Sequence, residues 1–197
     1  MGVVVVNSGC ANLASVVFAL QRLGAAVSVS DDVEVIGAAD RVILPGVGSA
    51  GFAMNELARR GLVDTLKGLK QPTMGICLGM QLLFDSSDEG DVPLLGIIGG
   101  SARKFDEDRG LIVPHMGWND IRHEKDDPLL SGGEDGACFY FVHSYFLPVS
   151  DYTLASCEHG ARFSAIVRRD NFWGCQFHPE RSADAGARIL KNFMELT

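Results

Sequence analysis

Two short clusters of residues contain the parts of a thiol nucleophile, its base and a group that orients the base. Residues 75–79 read GICLG and place Cys77 between two glycines. About a hundred residues downstream, residues 176–180 read QFHPE and place Glu180 two positions after His178. A cysteine nucleophile needs a base nearby, and the base needs a third group to orient it. The two clusters therefore predict a Cys77–His178–Glu180 triad.

The glycines of the first cluster predict the backbone around Cys77. A strand that turns sharply into a helix strains the nucleophile's dihedral angles and leaves no room for side chains two residues away. We therefore expect Cys77 to be exposed at the N-terminus of a helix over residues 78–84. A helix N-terminus lowers the pKa of a thiol, and its free N–H groups can receive developing negative charge.

The spacing of the second cluster predicts how the base is held. Residues two apart on an extended strand point the same way, so His178 and Glu180 would face one site. His178 would take the proton from Cys77 and later return one to a leaving amine, while Glu180 fixes the tautomer. His143 is the main rival among the five histidines, but no carboxylate lies two residues away from it. Spacing therefore favours His178.

A glycine-rich loop follows another apolar strand. Residues 44–51 read LPGVGSAG, and this loop is expected to offer a second oxyanion N–H. Taken alone, a Gly-x-Cys-x-Gly segment is often a buried cysteine in a tight turn. The occurrence of all three segments in one short chain favours catalysis.

Composition restricts the class of protein. The 197 residues, 47% of them hydrophobic and 23 of them glycine, suit one loop-rich α/β domain spanning 1–197. The net charge of −8, without a dense basic cluster, argues against a nucleic-acid partner. The sequence shows no signal-peptide pattern and no apolar run of membrane-spanning length. No Cys-x-x-Cys pair suggests a metal or redox site. We therefore expect a cytoplasmic protein whose cysteines are reduced. The four cysteines expected only to pack are Cys10, Cys138, Cys157 and Cys175.

Hydrophobic periodicity predicts the elements that position these residues. In the first half, continuous apolar segments alternate with segments whose apolar residues recur at helical spacing. This pattern predicts a mostly parallel sheet covered on both faces by helices. Val47 and Cys77 both fall at carboxyl ends of such strands, where reactive loops lie. From about residue 96, shorter runs predict antiparallel hairpins and then a closing helix. The predicted strands are 3–6, 27–29, 41–44, 72–76, 111–113, 138–142, 153–156, 165–167 and 172–177, and the predicted helices include 13–23 and 187–194.

These segments resemble those of the class I glutamine amidotransferases, the triad type with a nucleophile elbow, an oxyanion loop and a His-x-Glu segment. The resemblance spans essentially the whole chain and implies that family's α/β fold, a mostly parallel central sheet flanked by helices, with antiparallel hairpins in the C-terminal half. Five segments are more narrowly similar to the glutaminase subunits of imidazole glycerol phosphate synthases. They are residues 45–48, 75–81, 114–119, 140–145 and 176–182.

The resemblance implies a glutaminase that hydrolyses L-glutamine through a cysteinyl thioester, with no metal and no organic cofactor. It implies that N–H groups of Leu78 and of the Val47–Gly48 loop hold the oxyanion. It also places Gln81, Ser144 and Tyr145 in contact with the glutamine. The ammonia would pass to a separate (β/α)8-barrel cyclase in a heterodimer. That partner would make imidazole glycerol phosphate and aminoimidazole carboxamide ribotide in histidine biosynthesis.

The resemblance also suggests Asn12, Trp118 and Arg181 for the cyclase interface. Each residue also has an interpretation without a partner. Trp118 could be a core residue, as an aromatic residue in a turn often is, and Asn12 and Arg181 could be ordinary surface residues. Residues 7–12 read NSGCAN where many members have Asp-Tyr-Gly-x-Gly-Asn. The family places this turn near the face that meets the partner. The difference in sequence therefore affects the expected contact with the cyclase and leaves the triad unchanged.

Three other functions stay open on the sequence. They are a glutaminase for another synthase, such as that of the pyridoxal phosphate pathway, a stand-alone cysteine hydrolase of γ-glutamyl conjugates, and a catalytically silent binding module. A silent module predicts a missing triad residue or oxyanion glycine, yet the triad, Gly46 and Gly48 are present. The glycine-rich loop also permits a peptide flip, so low activity without a partner is a further hypothesis.

Overall fold

The structure is a computed structural model that describes residues 2–106 and 110–196. The strands are β1 (Gly2–Val6), β2 (Ala26–Ser30), β3 (Arg41–Gly46), β4 (Thr73–Cys77), β5 (Ser86–Ser87), β6 (Val92–Pro93), β7 (Ser101–Lys104), β8 (His115–Asp120), β9 (Arg122–His123), β10 (Cys138–His143), β11 (Tyr145–Phe146), β12 (Thr153–His159), β13 (Ala161–Arg169) and β14 (Phe172–Cys175). The helices are α1 (Leu13–Arg22), α2 (Val33–Gly37), α3 (Ala50–Arg59), α4 (Leu62–Gly68), α5 (Leu78–Gln81) and α6 (Ala183–Glu195), with short 3₁₀ helices at Pro128–Leu130 and Pro179–Arg181.

The main sheet has eight strands in the order β2-β1-β3-β4-β14-β13-β12-β9. The first five pair in parallel, and the last three add antiparallel pairs. Four of the parallel strands, β1, β3, β4 and β14, are buried because both of their faces are covered, whereas the edge strand β2 is largely exposed. This confirms the predicted fold class, a mostly parallel sheet with antiparallel hairpins contributed by the second half.

Alternating side chains of the central strands supply two separate cores. Val3 and Val5 of β1 face a core shared with α1 and α6, whereas Val4 and Val6 face a core shared with α2, α3 and α4. This alternation follows from the period of two along a strand. Since β3 and β4 lie at the centre of this sheet, their carboxyl ends are held firmly from both sides.

Two smaller sheets stand beside the main one. β8 and β10 form an antiparallel pair, and β11, β7, β5 and β6 form a four-stranded sheet. β10 ends at His143 and β11 begins at Tyr145, so the turn between the two sheets carries Ser144. None of the helices in the described ranges is long and apolar enough to cross a membrane.

Several predicted elements are confirmed, some have different boundaries, and one predicted strand is absent from the described residues. α1, β2, β3, β4, β10 and α6 lie where periodicity placed them. The helix after Cys77 ends at Gln81 rather than at residue 84, and β14 ends at Cys175 rather than at 177. Within the described range 110–196, no strand covers 111–113, because Ile112 is 80% exposed and β8 begins only after Pro114, whose ring nitrogen cannot donate to a ladder.

The cysteines follow the expected pattern with one exception. All five are free thiols, and Cys10, Cys157 and Cys175 are buried as packing residues. Cys138 is exposed at the first position of β10, so its predicted packing role is wrong. It begins a strand whose side chains alternate between solvent and core, and it falls on the solvent side.

Candidate active site

The backbone at Cys77 has the sharp turn that its neighbouring glycines predict. Cys77 ends β4 and precedes α5 with φ 54° and ψ −112°, a strained conformation for a residue with a side chain. A Cβ atom on Gly75 would lie 2.4 Å from the carbonyl oxygen of Gly79, and one on Gly79 would lie 1.8 Å from that of Leu44. Only glycine fits at either position. Cys77 is 7% exposed, so the expectation of an exposed nucleophile is wrong.

His178 and Glu180 meet, although by a different backbone from the predicted strand. The Nδ1 atom of His178 lies 2.9 Å from Oε1 of Glu180. His178 precedes the 3₁₀ helix Pro179–Arg181, and the turn of that helix brings the two side chains together. The backbone N–H of His178 donates to the carbonyl of Tyr140 at 2.9 Å, and the Ser182 hydroxyl donates to the carbonyl of His178 at 2.7 Å. The base is therefore anchored to β10 and to the start of α6.

The surroundings of His178 favour its charged form. Burial lowers the pKa of the imidazole, but the nearby Cys77 thiol and Glu180 carboxylate outweigh burial and raise this pKa to about 10. Within the described residues, Nε2 of His178 is buried without a hydrogen-bond partner. The free nitrogen is the one that would exchange a proton with the nucleophile and its leaving group.

A cavity of about 350 Å³ opens over the nucleophile. Its lining residues are Val47, Gly48, Cys77, Leu78, Gln81, Glu89, Pro114, Val142, His143, Ser144, Tyr145 and His178. Eight of these were predicted from the sequence as catalytic, oxyanion or substrate residues. Glu180 lies behind His178 rather than on the wall. The residues that sequence analysis missed as parts of the site are Glu89, Pro114, Val142 and His143.

Among the described residues, Glu89 is the one carboxylate on the cavity wall. Its Oε2 atom accepts a hydrogen bond from the N–H of Ala50, at the start of α3, at 2.7 Å. This contact fixes the carboxylate beside the loop at Gly48. Residues 86–91 read SSDEGD, which has the composition of an ordinary polar turn, so no signal in the sequence separates Glu89 from its neighbours.

The oxyanion loop donates one of its peptide N–H groups to the N-terminal turn. The N–H of Val47 donates to the carbonyl oxygen of Cys10 at 2.8 Å. In this conformation the N–H is engaged by Cys10, and the role of Val47 as an oxyanion donor stays a prediction. Gly48 has φ +91°, in the left-handed region. Leu78 is the first residue of α5, where a backbone N–H has no acceptor within its own helix.

Gln81 and Gln176 form an amide network behind the nucleophile. Nε2 of Gln81 donates to the carbonyl of Tyr145 and to Oε1 of Gln176, each at 2.9 Å. Nε2 of Gln176 donates to Sγ of Cys77 at 3.8 Å. Gln81 is 4% exposed, so it does not lie on an open helix face. Gln176 was part of the second cluster, but no role was predicted for it.

The three suggested interface residues lie outside the cavity. Asn12 is exposed and its side chain accepts from the N–H of Ser15 at 3.5 Å, which caps α1. Trp118 on β8 is 56% exposed, with its ring 6.2 Å from that of Tyr140, so the alternative of a core residue is wrong. Arg181 is exposed in the 3₁₀ helix after His178, and that helix contacts both α1 and β10. The three residues thus lie on adjoining elements.

Comparison with known proteins agrees with this geometry. The family described as "Glutamine amidotransferase class-I" matches residues 4–196. The chain is 52% identical to the imidazole glycerol phosphate synthase subunit HisH of Idiomarina loihiensis, over 100% of this chain and 99% of that protein. It is 51% identical to HisH of Escherichia coli K12 over the full length of both. The chain belongs to the class I glutamine amidotransferases and, within them, to the HisH subunits of imidazole glycerol phosphate synthase.

Solved structures have the same fold at low sequence identity. A putative GMP synthase protein from Thermoplasma acidophilum matches with a TM-score of 0.76 and 18% identity, over 99% of this chain and 92% of that one. The structure of PurLQS from Thermotoga maritima matches with a TM-score of 0.71 and 21% identity, over 98% and 97%. At such identities the likeness concerns the fold alone, since one fold carries many functions.

Proposed function

We propose that this chain, as a single glutaminase domain, hydrolyses L-glutamine to glutamate and ammonia and passes the ammonia to a cyclase. The observation that carries the proposal is the assembly of Cys77, His178 and Glu180 at one cavity of suitable size for an amino acid. The chain's place among HisH subunits supports the choice of glutamine as substrate. No cofactor enters the reaction, because a thiolate and an imidazole suffice for acyl transfer.

The first half of the reaction forms a thioester. The Cys77 thiolate attacks the side-chain carbonyl carbon of glutamine, and the carbonyl π electrons move to oxygen. His178, charged because its pKa is raised, gives its Nε2 proton to the amide nitrogen. The C–N bond then breaks, and ammonia leaves. Glu180 holds the imidazole through Nδ1 and stabilises its charge throughout.

The second half regenerates the thiolate. Neutral His178 takes a proton from water, and the resulting hydroxide attacks the thioester carbonyl. The tetrahedral intermediate collapses with the sulfur of Cys77 as leaving group, and glutamate is released. Both halves place negative charge on one oxygen, which the N–H of Leu78 at the start of α5 would receive.

The polar groups of the cavity suit the two ends of an amino acid. Glu89 places a carboxylate where a substrate ammonium group can pair with it. Gln81, Ser144 and Tyr145 line the wall near Cys77 and would contact the remainder of the glutamine. This arrangement favours a free amino acid over a peptide, because the α-ammonium group is the feature that Glu89 recognises.

The second oxyanion donor becomes available only after a change in the loop. While Val47 donates to Cys10, its N–H cannot also hold an oxyanion. A flip of the Gly46–Val47 peptide, which has a glycine on one side, would turn this N–H toward the cavity. We therefore expect slow turnover in the isolated chain and faster turnover when a partner favours the flipped loop.

The partner that fits is a (β/α)8-barrel cyclase in a cytoplasmic heterodimer. Asn12, Trp118 and Arg181 lie on adjoining elements and expose one large aromatic side chain and two polar ones. Exposed tryptophan and arginine are typical anchors of protein interfaces. The free thiols, including the exposed Cys138, suit a reducing compartment. Ammonia passed directly to the cyclase would escape protonation by bulk water.

The test is glutamate release from L-glutamine by the purified chain, alone and with the cyclase and its phosphoribulosyl-aminoimidazole-carboxamide nucleotide. Cys77→Ala removes the nucleophile, and Cys138→Ala is the matched control at an exposed thiol. We expect release to rise with the cyclase, to vanish in Cys77→Ala and to persist in Cys138→Ala. Release that is equally fast without the cyclase would instead support a stand-alone hydrolase, and no release in any mixture would overturn the proposal.

A further inference from the structure

Two buried histidines adjoin the cavity without belonging to the triad. His143 and His115 are 6% and 5% exposed, and Nε2 of His143 lies 2.9 Å from Nδ1 of His115. Aromatic rings surround the pair. Phe141 stacks on His115 at 4.9 Å between ring centroids, and Phe163 meets His143 edge-on at 5.1 Å. Two imidazoles in such an apolar setting need each other's nitrogens as hydrogen-bond partners.

The partners of the pair determine where its protons are. Nδ1 of His143 lies 2.8 Å from the carbonyl oxygen of Tyr145, which can only accept, so Nδ1 carries the hydrogen. Nε2 of His143 is then the acceptor for Nδ1–H of His115. Nε2 of His115 in turn accepts from Nδ2 of Asn119 at 3.2 Å. All four ring nitrogens are satisfied when both rings are neutral with the proton on Nδ1.

The electrostatic environment agrees with two neutral rings. Burial, together with the charges of His115, His159 and His178, lowers the pKa of His143 to about 3, although the Tyr145 carbonyl opposes this. Burial and His159 lower the pKa of His115 to about 4. A proton added to Nε2 of His143 would set two N–H groups against each other across the 2.9 Å contact, and a proton added to Nε2 of His115 would face the Nδ2 donor of Asn119 at 3.2 Å.

The pair connects with the nucleophile through one shared acceptor. The Tyr145 carbonyl that accepts from His143 also accepts from Nε2 of Gln81 at 2.9 Å. Gln81 then reaches Cys77 through Gln176. Because Gln81 and Tyr145 both line the cavity, a change in the position of this carbonyl would move the wall against which a substrate lies.

We propose that His143 and His115 are a positioning pair, held neutral in one tautomer, which sets the Tyr145 carbonyl and thereby the substrate wall formed by Tyr145 and Gln81. The inference rests on the proposed glutaminase function for its effect on substrate. His143 is thus not an alternative base, since neither of its nitrogens is free to exchange a proton with Cys77 or water.

The first experiment reads the tautomers directly. Long-range ¹H–¹⁵N spectra of the imidazole-labelled chain, from about pH 8 to about pH 5, separate protonated from unprotonated ring nitrogens. We expect both His143 and His115 to stay neutral with the proton on Nδ1 throughout. A proton on Nε2 of His143, or titration of either ring within this range, would overturn the proposal. This measurement does not depend on activity or on any variant.

The second experiment separates the hydrogen bond from simple packing. His143→Leu keeps bulk but loses the donor to Tyr145, whereas the amide of His143→Asn can replace Nδ1 as donor. In the complex with the cyclase and nucleotide, we expect His143→Leu to raise KM for glutamine about 10-fold or more with a smaller change in kcat. His143→Asn should return KM to within about 3-fold of the unmodified chain. His123→Asn, on β9 outside the cavity, is the control.

The outcomes distinguish this proposal from the function on which it rests. Equal KM values for His143→Leu and the unmodified chain, or equal increases for the Leu and Asn variants, would overturn the positioning role. Absence of glutamate release by the unmodified complex would instead overturn the glutaminase function, while the tautomer spectra would still decide the state of the pair.

Discussion

The N–H of Val47 donates to the carbonyl oxygen of Cys10 at 2.8 Å and so ties the oxyanion loop to the N-terminal turn. Because donor and acceptor both belong to the backbone, this link does not depend on the side chain at either position. Residues 7–12, which contain the acceptor, form the connection between β1 and α1. The turn and the loop therefore form one unit.

Amide exchange at Val47 reports directly on this link. We expect slow hydrogen exchange at Val47 in the free chain, because its N–H is hydrogen-bonded and the strand before it is buried. In the complex with cyclase and nucleotide, exchange should become about 10-fold faster or more as the loop flips. The amide of Ile43, inside β3, serves as the unchanged reference. Equal protection of Val47 in a fully active complex would contradict the flip.

Glu180→Gln tests how the base is held. The amide keeps the shape of the side chain and an acceptor for Nδ1 of His178, but it removes the charge that raises the pKa of the imidazole. We expect kcat to fall about 100-fold or more, since the imidazolium is no longer stabilised. Because the pKa of His178 falls, the alkaline limb of the pH–rate profile should move to lower pH.

The control for Glu180→Gln is Glu195→Gln, which changes the same chemical group in an exposed pair with Lys191. Its kinetic constants and pH profile should match those of the unmodified chain. A Glu180→Gln variant with an unshifted alkaline limb would show that Glu180 does not set the charge of His178.

Glu89→Gln tests recognition of the substrate ammonium. The amide oxygen can still accept from the N–H of Ala50, so the start of α3 stays capped. Only the charge facing the cavity is lost. We expect KM for glutamine to rise about 10-fold or more with little change in kcat, measured by steady-state glutamate release in the complex. An unchanged KM would remove Glu89 from the substrate site, and Glu195→Gln again serves as control.

The neutral histidine pair predicts a loss of stability in acid. The folded pKa values of His143 and His115, about 3 and about 4, lie below the ordinary value of 6.5. As pH falls below 6.5, the two histidines become protonated in the unfolded chain but stay neutral in the folded chain. The free energy of unfolding is therefore retained above about pH 6.5 and lost progressively toward pH 4 and below. We expect Tm to fall by about 5–10 °C between pH 7 and pH 4.5.

His143→Asn isolates this effect from that of the carboxylates. The variant lacks one of the two titrating rings, so its Tm should fall less steeply over the same pH range when measured by calorimetry. If the two curves are parallel, the pair does not control the acid sensitivity. His123→Asn should follow the unmodified chain, because His123 is partly exposed on β9.

Trp118→Ala tests the face proposed for the cyclase. Trp118 is 56% exposed on β8, and truncation of a tryptophan anchor usually costs an interface about 2 kcal/mol or more. We expect Kd for the cyclase to rise about 30-fold, measured by calorimetric titration, with the fold unchanged. Phe52→Ala is the matched control, since Phe52 is 54% exposed on α3, outside this face. Equal effects of the two substitutions would refute the assignment.

The sequence predicted the chemistry of the site better than its backbone. Residue type and spacing identified Cys77, His178 and Glu180, because each role needs a particular functional group. The extended strand expected for His178 and Glu180 is instead a 3₁₀ turn, since residues two apart can also meet when a short helix brings them together. Side-chain pattern did not distinguish these two backbones.

Other parts of the site could not be predicted because they depend on long-range contacts. Glu89 reaches the cavity only because its loop packs beside the start of α3, and nothing in its own segment indicates that contact. The direction of the Val47 peptide is set by a carbonyl 37 positions earlier in the chain, at Cys10. The orientation of a peptide group cannot be predicted from the pattern of side chains along the sequence.

The contact between Gly79 and Leu44 has a consequence for how such an enzyme can be switched on. A single added carbon on Gly79 would lie 1.8 Å from the Leu44 oxygen, so the two backbones already touch where the nucleophile and the oxyanion loop meet. Gly79 of α5 and Leu44 of β3 therefore cannot move closer together without a clash. We expect the loop change proposed above to be a rotation of peptide groups about single bonds at constant separation of these two backbones, limited by torsional barriers rather than by the sliding of secondary-structure elements.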